Sequence, residues 1–253
     1  LGNLGLAYAD LGEVQKAIGY YEQQLTITRE IGDRRGEGIA LGNLGLAYTD
    51  LSEVQKAIGY FEQALVIDRE IGDRRGEGTA LGNLGVAYAR LGEVQKAIGY
   101  YEQALAIDRE TGDRRGEGIA LGNLGLAYAD LGEVQKAIGY YEQKLTITRE
   151  IGDRRGEGNA LYNLGIAYAD LGEVQRAIGY YEEALKIMRK IGDRRGEGNA
   201  SWNLGLIDEK QGDLVRAVAL MQVLVDYERA IGHPDAEKHA ARVEEIRRPM
   251  AGG

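Results

Sequence analysis

The sequence contains no cysteine, so disulfide and thiol chemistry are excluded and a reducing, cytoplasmic setting is expected. No apolar run approaches the roughly 20 residues that span a bilayer, and no basic-then-apolar leader opens the chain. A membrane partner is therefore not expected. Positive charge is in deficit: 31 lysines and arginines stand against 40 aspartates and glutamates, a formal charge of −9. Nucleic acid wants a basic surface, so the charge argues against a nucleic-acid partner; the acidic balance reads as solubility. Histidine is scarce. His233 and His239 are the only two, six apart and off the i, i+4 spacing of a helical metal site. No serine–histidine–acid set stands out, so neither an enzyme nor a bound cofactor or metal is expected.

What the chain does have is repetition. Gly32 to Leu51, GDRRGEGIALGNLGLAYTDL, returns almost unchanged every 40 residues, with a worn copy from Gly192 to Gln211. A period of that length marks a stacked repeat array. The copies run 1–40, 41–80, 81–120, 121–160, 161–200 and 201–232. The first lacks the opening half of its leading helix, which suggests a fragment of a longer chain or one cut inside the array. The first and fourth copies differ only at Gln24 versus Lys144 and Ile39 versus Asn159. Such identity means recent duplication or deliberate design, and the decayed last copy favours a natural origin.

Each copy reads as two helices. In the second, Gly32 can close the preceding helix in the left-handed conformation, and Asp33 can cap the next. Helix A is expected from about Arg34 to Asp50, with Ala40, Leu44, Ala47, Tyr48 and Leu51 on one stripe. Ser52, which is Gly12, Gly92, Gly132 and Gly172 in sister copies, marks the turn. Helix B follows from about Glu53 to Ile71, burying Val54, Ala57, Ile58, Phe61, Leu65 and Ile71. Such a hairpin hides its apolar faces only against a neighbour. Gly45, inside helix A, costs about 1 kcal/mol relative to alanine. The expected reason is a close crossing of helices A and B, with Ala57 opposite. Gly42 and Gly59 have no such reason. The joint GDRRGEG is glycine-rich but lacks the lysine and hydroxyl of a phosphate loop.

Leu41, Leu44-Gly45, Tyr48, Ala57, Phe61 and Ala64 stand at the spacing of the tetratricopeptide repeat signature, with leucine at its usual tryptophan position. The proline that ends the common form is Arg69 here. This long version resembles the arrays of the Pins/LGN polarity adaptors and of kinesin light chains, and is similar to the sensor arrays of bacterial multidomain regulators. The resemblance covers residues 1–232. It implies an all-α, right-handed superhelical solenoid of antiparallel helix pairs, with the A helices lining a concave groove that binds a protein or peptide.

Carried over position by position, the resemblance makes Asn3, Asn43, Asn83, Asn123, Asn163 and Asn203 groove residues, together with Leu6, Leu46, Val86, Leu126, Ile166 and Leu206. The Pins/LGN adaptors tend to carry arginine where this chain has Ile39, Thr79, Ile119, Asn159 and Asn199, a departure from recognition of acidic ligands. An amide can pair with any peptide main chain; equally, each Asn could bond a neighbouring helix and set repeat spacing.

Helical phase brings Arg35, Arg75, Arg115, Arg155 and Arg195 to the groove face, and Asp10, Asp50, Asp130 and Asp170 to its other edge, with Arg90 as the exception. The pair of rails could orient a ligand. Alternatively Arg35 pairs with Glu30 or Glu37 on solvated surface, which is worth little. Tyr162 and Trp202 replace the glycine of other copies at an inward-pointing position, as binding anchors or as core filler. A last helix, to about Arg248, is expected to cap the array with Ala236, Ala240, Val243 and Ile246, placing a cap over 233–248 and a disordered tail over 249–253. His233 suits the cap region. A peptide-binding scaffold leads the functional readings; a ligand-sensing arm of a larger multidomain regulator and a passive or designed array are the alternatives. An open apolar end at Leu1 invites end-to-end self-association.

Overall fold

The computed structural model describes residues 1–251, with side chains through residue 248. Among them lie thirteen α-helices and no strand, an all-α repeat solenoid in which, within each unit, successive helices pack on one another. The chain divides into two compact units, Leu1–Gly132 and Glu133–Gly253. The first holds α1 (Gly2–Asp10), α2 (Val14–Ile31), α3 (Arg34–Asp50), α4 (Val54–Ile71), α5 (Arg74–Arg90), α6 (Val94–Thr111) and α7 (Arg114–Asp130). The second holds α8 (Val134–Glu150), α9 (Arg154–Asp170), α10 (Val174–Ile191), α11 (Arg194–Gln211), α12 (Leu214–Ile231) and α13 (Ala236–Ala251).

Local chemistry sets the joints. Gly72 closes α4 at φ 69°, and the Asp73 N–H reaches back to the Asp68 carbonyl at 2.8 Å. Asp73 then caps α5, its carboxylate accepting from the Gly76 N–H at 3.0 Å. The same turn recurs at each joint because its two requirements, a left-handed glycine and a capping aspartate, recur. Ser52, at φ 60°, is the one described non-glycine residue in the left-handed region.

The expected stripes are largely buried, among them Ala40, Leu44, Ala47, Ala57, Ile58, Phe61 and Leu65. Ile71 is not: it is 39% exposed, because the chain turns away at Gly72. Leu41, Ala64 and Ile67 take the core positions that the stripe reading omitted.

The account of Gly45 needs correcting. A Cβ there would meet the Phe61 ring, not Ala57, and Gly85 and Gly165 face Tyr101 and Tyr181 in the same way. The missing methyl makes room for an aromatic ring lying flat across helix A. Gly42 and Gly59, by contrast, face open space.

The joint also contains an ion-pair knot that the sequence reading misassigned. Arg34, not Arg35, meets Glu37: Arg34 Nη1 donates to it at 2.5 Å and Arg29 Nε at 2.8 Å. Glu37 is only 6% exposed. Burial pulls its carboxyl up, but the two guanidinium hydrogen bonds outweigh burial and hold it below its ordinary range. The knot returns at Glu77, Glu117, Glu157 and Glu197. Arg34 and Arg74 also reach Glu70 and Glu110 of the next repeat.

In the second unit the last helix lays Ala236, Val243 and Ile246 into the core, against Val218, Met221 and Val225 of α12. The backbone stays helical to Ala251, past the end expected near Arg248. The rest of the expected tail, residues 252 and 253, lies outside the described residues.

Candidate functional site

In the first unit α3, α5 and α7 contact one another in sequence, while α4 and α6 pack behind them. Two clefts open on this A-helix face, of about 230 Å³ between α3 and α5 and about 290 Å³ between α5 and α7. Asn43 and Leu46 stand on the wall of the first, Asn83 on the walls of both, and Val86, Asn123 and Arg115 on the second. Six of the residues singled out from the sequence therefore converge. Leu46 is 47% exposed, and Leu126, one helical turn from Asn123, is 49% exposed; both are apolar surface with no internal partner to explain them.

The amides of Asn43, Asn83, Asn123 and Asn163 make no side-chain hydrogen bond among the described residues, although all four are half-buried. Among the described residues a bond from this series to a neighbouring helix is made by Asn203, in the second unit, whose Nδ2 donates to the Tyr162 hydroxyl at 3.1 Å. Arg75, Arg115 and Arg155 are exposed and carry no ion pair among the described residues. Arg35 differs, binding Asp73 at 2.8 Å. Asp10, Asp50, Asp130 and Asp170 stand exposed on their edge, and Arg90 donates to the Thr49 carbonyl at 2.9 Å.

The second unit places Asn163, Ile166 and Tyr162 on α9 and Asn203 and Trp202 on α11, all half-buried. Tyr162 packs at 5.9 Å from the Tyr181 ring. Trp202 spends much of its surface on the cap, its ring 4.6 Å from that of His239. His233 accepts from the Asp235 N–H at 3.2 Å, within the turn that starts α13.

Two residues of the clefts escaped the sequence reading. Asp68 lies in the α3–α5 cleft beneath Gly38 and Gly76, and Asp108 in the α5–α7 cleft beneath Gly78 and Gly116. Burial, and then the neighbouring Asp73 and Glu77, push Asp68 up to about 6; burial, with Asp113 and Glu117, does the same to Asp108. Between the ordinary carboxylate range and pH 6 the folded chain holds protons that the unfolded chain releases. Stability therefore falls as pH rises through that window, and above it both charges stand at a constant cost. The signal in the sequence was variation: this position is Thr28, Asp68, Asp108, Thr148, Met188 and Glu228 in otherwise near-identical copies.

A third cleft, of about 340 Å³, opens on the opposite side near Gly59 and Gln63. Its polar wall is the Arg29–Glu37–Arg34 knot, already satisfied internally, so it offers a ligand little. Among the described residues no group of three or more side chains could hold a metal ion, and no helix is long and apolar enough to cross a membrane.

Comparison with known proteins agrees with this architecture. The tetratricopeptide repeat family model matches residues 1–70, 40–110, 76–150, 116–190 and 156–227. No curated protein matches the chain. Among solved structures, the apo form of RapI is similar over 100% of this chain and 98% of its own, at 18% identity and a TM-score of 0.78. A Rap protein complexed with competence and sporulation factor is similar over 99% of this chain and 74% of its own, at 16% identity and a TM-score of 0.69. The tetratricopeptide sensor-bearing STAND ATPase PH0952 of Pyrococcus horikoshii is similar over 97% of this chain but 38% of its own, at 22% identity and a TM-score of 0.77. At these identities the likeness is one of fold. With five overlapping family matches from residue 1 to residue 227 on stacked helix pairs, the chain belongs to the tetratricopeptide repeat family.

Proposed function

We propose that the chain is a peptide-binding scaffold, cytoplasmic in setting, whose A-helix face takes an extended segment of a partner protein along the two clefts of the first unit. The observation that carries this reading is the row of unengaged amides, Asn43, Asn83 and Asn123, each beside exposed apolar surface. A half-buried amide without an internal partner is matched to a main chain, which offers alternating donors and acceptors. Arg75 and Arg115, and separately Arg155 with Asn163, Ile166 and Tyr162 in the second unit, extend the same chemistry. Trp202 is the weakest of the proposed contacts, since the cap already covers part of it. The test is the affinity of a library-selected peptide before and after the asparagines are removed.

A second reading has its own support. The Rap complex is titled as bound to a competence and sporulation factor, and the STAND ATPase carries its repeats as a sensor. A ligand-sensing arm of a larger regulator would use the same face for the same physical act.

The outer face of α1 and α2 supports self-association: Leu1, Leu4, Leu11, Ile27 and Ile31 all stand exposed, a larger apolar patch than a lone surface leucine needs. Sedimentation should show mass rising with concentration, and Leu4→Lys with Ile31→Lys should abolish the rise. A strict monomer at high concentration contradicts it.

A further inference from the structure

We propose that the two clefts of the first unit are a pair of cation pockets that read a basic peptide, seating one lysine or arginine side chain on Asp68 and a second on Asp108. This rests on the reading that the A-helix face takes a peptide, and names the peptide's chemistry.

The carboxylates are the reason. Neither Asp68 nor Asp108 makes a side-chain hydrogen bond or ion pair among the described residues, yet each lies half-buried in its cleft. Arg35, on the wall of the first cleft, gives its hydrogen bond to Asp73 at 2.8 Å and acts on Asp68 only through space, more weakly than burial and the neighbouring Asp73 and Glu77 push the other way. Arg115, on the wall of the second, makes no ion pair with Asp108. Each cleft thus contains two aspartates and one arginine and keeps a net negative charge at its floor. A desolvated carboxylate without a partner is costly, and a cationic side chain delivered from outside removes that cost.

The chain itself contains the occupied form. Glu228 holds the place of Asp68 and Asp108 in the last copy and is 5% exposed. There a side chain of the following helix answers it, His239 Nδ1 lying 2.7 Å from Glu228 Oε2. His239 stands in the register of Thr79 and Ile119. Thr79 gives its hydroxyl to the Arg75 carbonyl at 3.0 Å, and Ile119 has none to give. The floor carboxylates of the first unit therefore wait for a donor that, in the second unit, the capping helix supplies. The other copies show the neutral alternative: Thr28 and Thr148 donate to the Leu25 and Leu145 carbonyls, both at 3.1 Å.

A metal ion fits less well, since a hard cation wants six or more oxygens and each floor offers one carboxylate. A side-chain cation needs only that one, plus the apolar walls that Ile39, Leu46 and Val86 provide for its stem. Neighbouring A helices lie about 10 Å apart, which is about three residues of extended chain. The expected ligand carries its two basic residues at that spacing with β-branched residues between.

The test uses a capped, fluorescein-labelled octapeptide of valine and threonine with two lysines three residues apart, and the same peptide with both lysines changed to glutamine. Anisotropy on the full chain should show the lysine peptide binding about 100-fold more tightly than the glutamine peptide. Asp68→Asn or Asp108→Asn should each cost about 10-fold, and the pair about 100-fold. The double variant should melt at or above wild type at pH 7.5, which separates lost binding from lost fold. Glu62→Gln with Glu102→Gln removes the same net charge from exposed positions on α4 and α6, outside the two clefts, and should change affinity less than about 3-fold. Equal affinity of the two peptides, or equal loss from the aspartate pair and the glutamate pair, overturns the proposal. If the glutamine peptide binds and is displaced by asparagine substitution while lysine adds nothing, the cation pockets fail and the scaffold reading stands; if neither peptide binds, both fail.

Discussion

Replacing Arg189 and Arg194 together with methionine will destabilise the second unit by about 3 kcal/mol, far more than two surface ion pairs are worth. Both guanidinium groups are half-exposed, but the carboxylate they share is not: Glu197 accepts from Arg189 Nε at 2.9 Å and Arg194 Nη1 at 3.1 Å while 9% or less of it is exposed. Methionine keeps the apolar stems, so the loss comes from the stranded charge rather than from packing. The asymmetry makes the prediction sharp. Adding Glu197→Met to the pair should restore most of the loss, because removing both sides of a buried pair is close to neutral. Urea unfolding midpoints read the result. A loss below about 1 kcal/mol, or no recovery in the triple variant, would place the knot among ordinary surface contacts.

Gly85→Ala should cost about 2 kcal/mol, whereas Gly82→Ala, three residues earlier in α5, should stabilise by about 1 kcal/mol. Helix propensity favours alanine equally at both positions, so the opposite signs come from packing alone. A Cβ on Gly85 would lie 2.5 Å from Cδ1 of the Tyr101 ring; on Gly82 it meets nothing. Tyr101 cannot retreat, being 4% exposed and wedged in the core, and burial pushes its hydroxyl up to about 12. Overpacking of this kind costs about 1–3 kcal/mol. Equal signs in the urea midpoints of the two variants would contradict the ring-over-glycine packing.

Those two predictions mark where the sequence was and was not legible. Helix ends were, because a left-handed glycine and a capping aspartate are local signals that act within four residues. The partner of Gly45 was not: Ala57 was expected opposite it at a close helix crossing, whereas Phe61, one turn further along helix B, lays its ring across the glycine. Arg34 and Arg35 are adjacent and chemically identical, so only the direction of each side chain from the first turn of α3 assigns one to Glu37 and the other to Asp73. Asp68 and Asp108 were passed over because helical phase alone gives them no special place. Their depth depends on glycines from two different A helices, Gly38 and Gly76 for one and Gly78 and Gly116 for the other. The asparagine ladder, by contrast, stands out in the sequence through simple recurrence.

The most direct measurement is the calorimetric affinity of a peptide selected from a random library, taken on the wild-type chain and on Asn43→Ala/Asn83→Ala/Asn123→Ala. Alanine favours helix more than asparagine, so the fold is kept. The scaffold account predicts a loss of at least about 30-fold in the triple variant, from main-chain hydrogen bonds worth about 1 kcal/mol each. Gln63→Ala/Gln103→Ala, on the helix B side, should leave affinity unchanged. Unaltered binding without the asparagines, or an equal loss from the glutamine pair, would contradict it.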